Sequence, residues 1–132
     1  MATFVKKYVE SVKEVLAGFK KIDYAFVFGS ILKEALAESD VDILIGGALS
    51  FSEKVDLAAQ LELILKRKVD IVLAEEAAVA LLAKAFSAGI PLLINNKENL
   101  KKDYFKNLYL YEDNENLRSL RIARIKRRYG NG

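Results

Sequence analysis

The 132-residue sequence contains no cysteine, no histidine and a single proline. The absence of cysteine and histidine excludes disulfides, Cys or His zinc sites, cysteine nucleophiles and imidazole acid–base catalysis within the chain. No apolar run approaches the roughly 18 residues of a membrane span, and the first residues include lysines and a glutamate where a signal peptide is apolar. We therefore expect a cytoplasmic protein without membrane contact, whose chemistry rests on carboxylates, lysines, hydroxyls and metal.

The net charge of +3 is concentrated at the C-terminal end of the sequence. Residues 118–132 hold no acidic residue and six basic ones, namely Arg118, Arg121, Arg124, Lys126, Arg127 and Arg128. Such a segment either recognises an acidic partner surface or RNA, or is a solvated helix whose cations suit its own dipole. We divide the chain into a domain over residues 1–116 and a basic C-terminal helix over residues 117–132.

The periodicity of apolar residues predicts alternating helices and strands. Helical spacing covers 4–19, 50–66, 74–88, 100–111 and 117–129, and short apolar runs cover 24–28, 41–45, 68–72 and 91–94. Glycine at position 89 is expected in the left-handed conformation that ends a helix. The stripe containing Tyr104, Tyr109 and Tyr111 is interpreted as helix packing rather than as a docking or acceptor cluster. The order of elements indicates a two-layer α/β domain with a helical tail.

The first chemical motif is Gly29-Ser30, which follows the apolar run Tyr24 to Phe28. The run predicts a buried strand, and Ser30 then begins a short helical segment. Glycine lets a ligand approach the backbone closely, while the serine hydroxyl and the free N–H groups of a helix start attract anions. This strand–turn–helix unit is therefore expected to bind phosphate.

The second motif is a set of aspartates in otherwise apolar strands. Asp40 and Asp42 lie two residues apart and so point to the same side, and Asp70 interrupts a later strand. Carboxylates held together near a core are costly unless a cation lies between them, and oxygen ligands of this kind suit Mg²⁺ carried with nucleotide phosphates. If the strands are neighbours, the three carboxylates can converge beside the phosphate site, as metal-assisted nucleotidyl transfer requires.

These motifs resemble the signature of the DNA-polymerase-β-type nucleotidyltransferase superfamily. The short chain is similar to its minimal nucleotidyltransferases, and among them to antitoxins of helical HEPN-domain toxins, several of which transfer AMP from ATP to a toxin tyrosine. The resemblance implies a nucleotidyltransferase fold with a mixed sheet of about four strands. It also implies two Mg²⁺ ions held by Asp40, Asp42 and Asp70, phosphate binding by Gly29 and Ser30, ATP as substrate and a HEPN toxin as partner.

The sequence leaves three functions to compare. The preferred one is Mg²⁺-dependent transfer of AMP to a protein hydroxyl, by which the chain acts as an antitoxin. The second is nucleotidyl transfer to a small molecule, which usually needs a further domain or a dimer to close the acceptor site. The third is a non-catalytic antitoxin or nucleotide-binding module that acts by direct contact. A homo-oligomer, and RNA binding by the basic tail, stay open as further alternatives, the latter less favoured.

Overall fold

The computed structural model of the protein describes residues 3–32 and 40–111. The helices and strands follow one another in the order that the sequence predicts. They are α1 (Thr3–Ala17), β1 (Ile22–Phe28), a 3₁₀ turn (Ser30–Leu32), β2 (Val41–Gly47), α2 (Phe51–Leu65), β3 (Val69–Leu73), α3 (Val79–Ala88), β4 (Ile90–Ile94) and α4 (97–111). The predicted helix 117–129, the basic tail and the domain boundary at Asn116 lie outside the described residues.

The four strands form one mixed sheet in the order β3-β2-β1-β4. Strand β1 is antiparallel to both of its neighbours, whereas β2 and β3 are parallel, as expected for two strands joined by a helical crossover. Pro91 lies in β4 at the edge of the sheet, where the missing N–H costs no ladder hydrogen bond. The predicted α/β fold with a four-stranded mixed sheet is confirmed.

One face of the sheet is covered by α1 and α2. Leu16 of α1 and Leu57 and Leu61 of α2 are fully buried against strand residues such as Ile43. Helix α2 begins at a capping box, in which the Ser50 side chain accepts from the Glu53 N–H while the Glu53 side chain accepts from the Ser50 N–H. This face supplies most of the hydrophobic core.

The second face of the sheet carries a smaller core, on which α3 and α4 pack. Its centre is Tyr24, which is completely buried and contacts the rings of Phe26 and Phe86. Gly46 lies opposite Tyr24 on β2, and a Cβ at position 46 would collide with the tyrosine ring. The glycine near the end of β2 therefore has a packing role.

Two local predictions are wrong. Helix α3 begins at Val79 rather than at Ala74, because the Ala74 N–H continues the sheet to the Ile45 carbonyl and the next residues turn around the Leu73 carbonyl. Gly89 is extended (φ −77°, ψ 163°) rather than left-handed, because the chain runs directly into β4. Glycine is still required there, since a Cβ would collide with the Ala85 carbonyl oxygen.

The helices of the described ranges include none that combines the length and the apolar character needed to cross a membrane.

Candidate active site

Asp42 and Asp70 lie side by side on the sheet. They are direct partners in the parallel register of β2 and β3, so their side chains leave the same face. Ile43 and Val41 belong to the core beneath α1 and α2, so the alternation of the strand places Asp42 on the opposite face, beside α3. The Asp42 side chain is half-buried, and that of Asp70 is exposed.

The electrostatics of Asp42 reflect its burial and the two other aspartates. Burial raises the pKa of Asp42, and the negative charges of Asp70 and Asp40 raise it further. Asp40 is exposed and directly precedes β2. The structure thus places Asp42 and Asp70 side by side, and the charge of Asp40 also acts on Asp42.

Gly29 lies against this group of carboxylates. The preceding residue, Phe28, is the antiparallel partner of Asp42, so the end of β1 passes next to the aspartate. Gly29 has a positive φ of 91°, which side-chain-bearing residues rarely adopt, and a Cβ at this position would collide with Asp42 Oδ2. The glycine is therefore required both by its backbone conformation and by its neighbour Asp42.

The residues after Gly29 form a short 3₁₀ turn. The Leu32 N–H donates to the Gly29 carbonyl oxygen at 3.1 Å, and Ile31 is fully buried in the core. The predicted helical character is thus seen over Ser30–Leu32, while residues 33–39 and the Ser30 side chain lie outside what the structure describes. The predicted contact of the Ser30 hydroxyl with phosphate stays a prediction.

Lys84 is a site residue that the sequence analysis did not identify. It lies on α3, and its positive charge lowers the pKa of Asp42, against the effect of the neighbouring aspartates. A signal was available, because Lys84 is the one charged residue in the otherwise apolar helix Val79–Ala88. Only the packing of α3 on the second face of the sheet, however, brings this lysine to the aspartates.

The donor set fits a magnesium ion that arrives with a nucleotide. Within residues 3–32 and 40–111, no group of three or more acidic side chains is arranged to hold a metal ion. Mg²⁺, however, is usually held by one or two carboxylates together with substrate phosphates and waters. A half-buried carboxylate whose pKa is raised by two further carboxylates gains from a cation in this position.

Two concave regions border α4. A cleft of about 440 Å³ lies at the far end of the strands from Asp42 and is lined by Asp23, Gly47, Asn99 and Lys106 among others. A groove of about 390 Å³ runs between α3 and α4, with Lys84 in its wall. We associate the second region with the carboxylates because they share this lysine.

Comparison with known proteins identifies relatives of the whole domain. Residues 10–98 match the family model of "Polymerase beta, Nucleotidyltransferase", which is more than half of the chain. No curated protein matches the sequence.

Solved structures with a similar fold include two from toxin–antitoxin complexes. One, a toxin–antitoxin with AMP-PNP, gives a TM-score of 0.72 at 21% identity, over 89% of this chain and 97% of the other. The second is a complex of a tri-AMPylated Shewanella oneidensis HEPN toxin with its MNT antitoxin, with a TM-score of 0.69 at 20% identity, over 91% of this chain and 97% of the other. At these identities the likeness shows a shared fold.

A third similar structure is a candidate minimal nucleotidyltransferase. Its TM-score is 0.57 at 26% identity, over 66% of this chain and 94% of the other. The described domain therefore accounts for nearly the full length of a small protein of this kind.

Proposed function

Because the chain belongs to the polymerase β-type nucleotidyltransferase family, we propose that it transfers AMP from ATP to a protein hydroxyl, the tyrosine of a HEPN-domain toxin, and thereby acts as an antitoxin. The observation that carries the proposal is the pairing of Asp42 with Asp70 directly beside the glycine that ends β1. Nucleotidyl transfer needs carboxylates that can hold a metal ion next to a backbone that nucleotide phosphates can approach. The neighbours with AMP-PNP and with an AMPylated toxin support this donor and this acceptor.

Each site residue has a role in this reaction. Asp40, Asp42 and Asp70 would hold Mg²⁺, which when bound neutralises the charge that develops on the phosphates. Gly29 allows the β and γ phosphates to approach the backbone, and Ser30 adds donors to them. Lys84 of α3 adds a positive charge next to Asp42.

The transfer step follows from this arrangement. The acceptor oxygen attacks the α-phosphorus of ATP, the bond between that phosphorus and the β-phosphate oxygen breaks, and pyrophosphate leaves. Asp70 is the more exposed of the paired aspartates, so it is accessible to an incoming hydroxyl group. We assign to Asp70 the orientation of that hydroxyl and the acceptance of its proton.

The proposal is tested by following label from α-labelled ATP in the presence of Mg²⁺. The acceptors are the HEPN-domain proteins of the same genome, each purified, and the variants are Asp42→Asn and Asp70→Asn. Asp56→Asn is the matched control, because Asp56 is an exposed aspartate on α2, beneath the opposite face of the sheet. We expect wild type and control to label one HEPN protein, and both site variants to lose at least about 100-fold in rate.

Two outcomes would replace the proposal by another function. Label that appears only in small molecules would indicate an enzyme of small-molecule nucleotidylation. Tight binding of a HEPN protein without any transfer by the wild type would indicate an antitoxin that acts by contact, with the aspartates serving nucleotide binding at most.

A further inference from the structure

Helix α4 turns a polar side towards the body of the protein. Asn99, Asp103 and Asn107 follow one another at intervals of four residues and so form one stripe. Asn99 Nδ2 donates to a carboxylate oxygen of Asp23, Asp103 accepts from the Tyr24 hydroxyl at 2.8 Å, and Asn107 Nδ2 donates to the Val79 carbonyl oxygen at 3.0 Å. Asn107 is buried, with 5% of its surface exposed. Polar contacts of this kind fix the rotation of the helix about its axis.

The apolar side of α4 consequently faces outwards. It forms a surface that we call the aromatic ridge, made of Tyr104, Phe105, Leu108, Tyr109 and Tyr111, all of them exposed. Phe105 and Tyr109 are 62% and 72% exposed. The sequence analysis assigned the tyrosine stripe to packing within the protein. That interpretation holds for Tyr104, which packs on Phe86, and is wrong for Tyr109, which is exposed. A contiguous exposed apolar surface of this kind is typical of a protein–protein contact.

The charges around the aromatic ridge restrict what can cover it. Lys101, Lys102 and Lys106 of the same helix are exposed, whereas Asp103 is engaged by Tyr24 and Glu98 lies back in the first turn. A second copy of the chain in a two-fold contact would set these lysines against their equivalents. The segment 118–132 would bring six further positive charges and no negative one. Charge complementarity therefore favours a different protein, with acidic residues beside an apolar stripe.

The aromatic ridge also leads to the candidate active site. Tyr104 packs on Phe86 of α3 at a centroid distance of 5.6 Å, and Tyr104, Leu108 and Tyr111 form one wall of the groove between α3 and α4. Lys84 lines the same groove and acts electrostatically on Asp42. The aromatic ridge thus borders a groove whose wall includes Lys84, the residue of α3 that acts on Asp42.

We propose that the aromatic ridge is the docking surface for the protein acceptor, a helical protein whose apolar stripe is bordered by acidic side chains. This inference rests on the proposed function for the identity of the occupant. The ridge supplies the aromatic anchors typical of binding hot spots. The lysines fix the position of the partner on the ridge and make its binding depend on salt.

The test measures binding separately from transfer. Each purified HEPN-domain protein of the same genome is titrated calorimetrically with four forms of the chain: wild type, Asp42→Asn, a ridge variant (Phe105→Ser with Tyr109→Ser) and a control variant (Phe51→Ser with Leu63→Ser). The control residues lie on α2 and are 79% and 81% exposed, somewhat more than Phe105 and Tyr109, so both double variants remove two large apolar side chains from the surface. Circular dichroism and thermal unfolding check that the four forms are folded alike.

We expect wild type, control and Asp42→Asn to bind one HEPN protein with similar affinity, and the ridge variant to bind it at least about 50-fold more weakly. Added salt should weaken wild-type binding, and Lys101→Gln with Lys102→Gln should reduce that dependence. Binding through the ridge without transfer by the wild type would support the docking surface while refuting the proposed activity.

Three results would overturn the docking surface. The first is a ridge variant that binds as tightly as the control. The second is a wild type that binds none of the HEPN proteins. The third is a sedimentation change from dimer to monomer when the ridge is substituted, which would make a second copy the occupant.

Discussion

The carboxylate of Asp42 fills the space that a side chain at Gly29 would need. Asp42 lies on β2, and Gly29 directly follows Phe28, the residue of β1 that pairs with Asp42. The glycine thus links the two motifs of the sequence, the turn that we propose binds phosphate and the aspartate pair, in a single contact. Any side chain at position 29 must displace the carboxylate, the turn or both.

Gly29→Ala should therefore reduce nucleotide transfer strongly. The φ of 91° costs a non-glycine residue roughly 1–2 kcal/mol, and the methyl group must also push Asp42 Oδ2 aside. We expect a loss of about 100-fold or more in the transfer rate. Gly18→Ala is the matched control, because its Cβ would lie 3.3 Å from the Val15 carbonyl oxygen, a contact that a small shift relieves. Equal activity of the two variants would contradict the role of Gly29.

Lys84→Gln should weaken the use of ATP. Its positive charge acts on Asp42, so it lies where nucleotide phosphates would add negative charge. We expect a rise of about tenfold in KM for ATP with Mg²⁺, corresponding to about 1.4 kcal/mol. Lys20→Gln controls for a lost surface charge, since Lys20 is exposed and precedes β1 at the other end of the strand. An unchanged KM would show that Lys84 does not contact the nucleotide.

The strands and the aspartate set could be predicted because their signals are local. Apolar runs of about five residues mark buried strands, and an aspartate inside such a run stands out whatever the tertiary structure. The register that makes Asp42 and Asp70 direct partners could not be predicted, because it depends on the helical crossover between β2 and β3. Lys84 was missed for a similar reason: which side of α3 meets the sheet is decided by packing.

The orientation of helix α4 could not be predicted from the periodicity of the sequence. Periodicity analysis assigns the apolar side of a helix to the core, and here the core side is the polar stripe of Asn99, Asp103 and Asn107. The partners of that stripe are Asp23, Tyr24 and a backbone carbonyl, all distant in sequence, so no local pattern predicts them.

The prediction for Gly89 was wrong for a different reason. Glycine is needed at this position because of a close backbone contact, not because of a left-handed conformation.

Tyr24→Phe should change how stability depends on alkaline pH. Burial raises the pKa of the Tyr24 hydroxyl far above its ordinary value, and the hydrogen bond to Asp103 and that residue's charge raise it further. Above about pH 10 the unfolded chain ionises this tyrosine while the native protein holds its proton, so stability falls as pH rises. The phenylalanine variant lacks this contribution, and its stability should fall less steeply over the same range.

At neutral pH the same substitution should destabilise the protein by about 1–2 kcal/mol, because Asp103 loses a hydrogen-bond donor. Urea unfolding near pH 8 and above pH 10 measures both effects. Tyr109→Phe, at an exposed position of α4, the helix that carries Asp103, is the control. If the stability of Tyr24→Phe falls with alkaline pH as steeply as that of the wild type, the Tyr24 hydroxyl does not determine how stability depends on pH in this range.

Asp42→Asn should stabilise the protein in the absence of nucleotide and Mg²⁺. The pKa of Asp42 is raised by burial and by the charges of Asp70 and Asp40, so the folded state binds this proton more tightly than the unfolded state does. The contribution of Asp42 to the stability of the folded protein is therefore most favourable below the ordinary carboxyl pKa of 3.8. It is lost as the pH rises through the raised pKa of Asp42. At neutral pH the wild type carries an ionised, crowded carboxylate, which the amide replaces without charge.

We expect the melting temperature of Asp42→Asn to exceed that of the wild type by a few degrees at neutral pH, and the difference to shrink as the pH is lowered and Asp42 becomes protonated. Asp56→Asn, at an exposed site on α2, should show no such trend. Addition of ATP with Mg²⁺ should raise the melting temperature of the wild type more than that of Asp42→Asn, because bound ligand stabilises only a protein that binds it. A variant that is less stable than the wild type at neutral pH would mean that the Asp42 carboxylate is held by favourable contacts, and the site would then lack the electrostatic cost that a cation relieves.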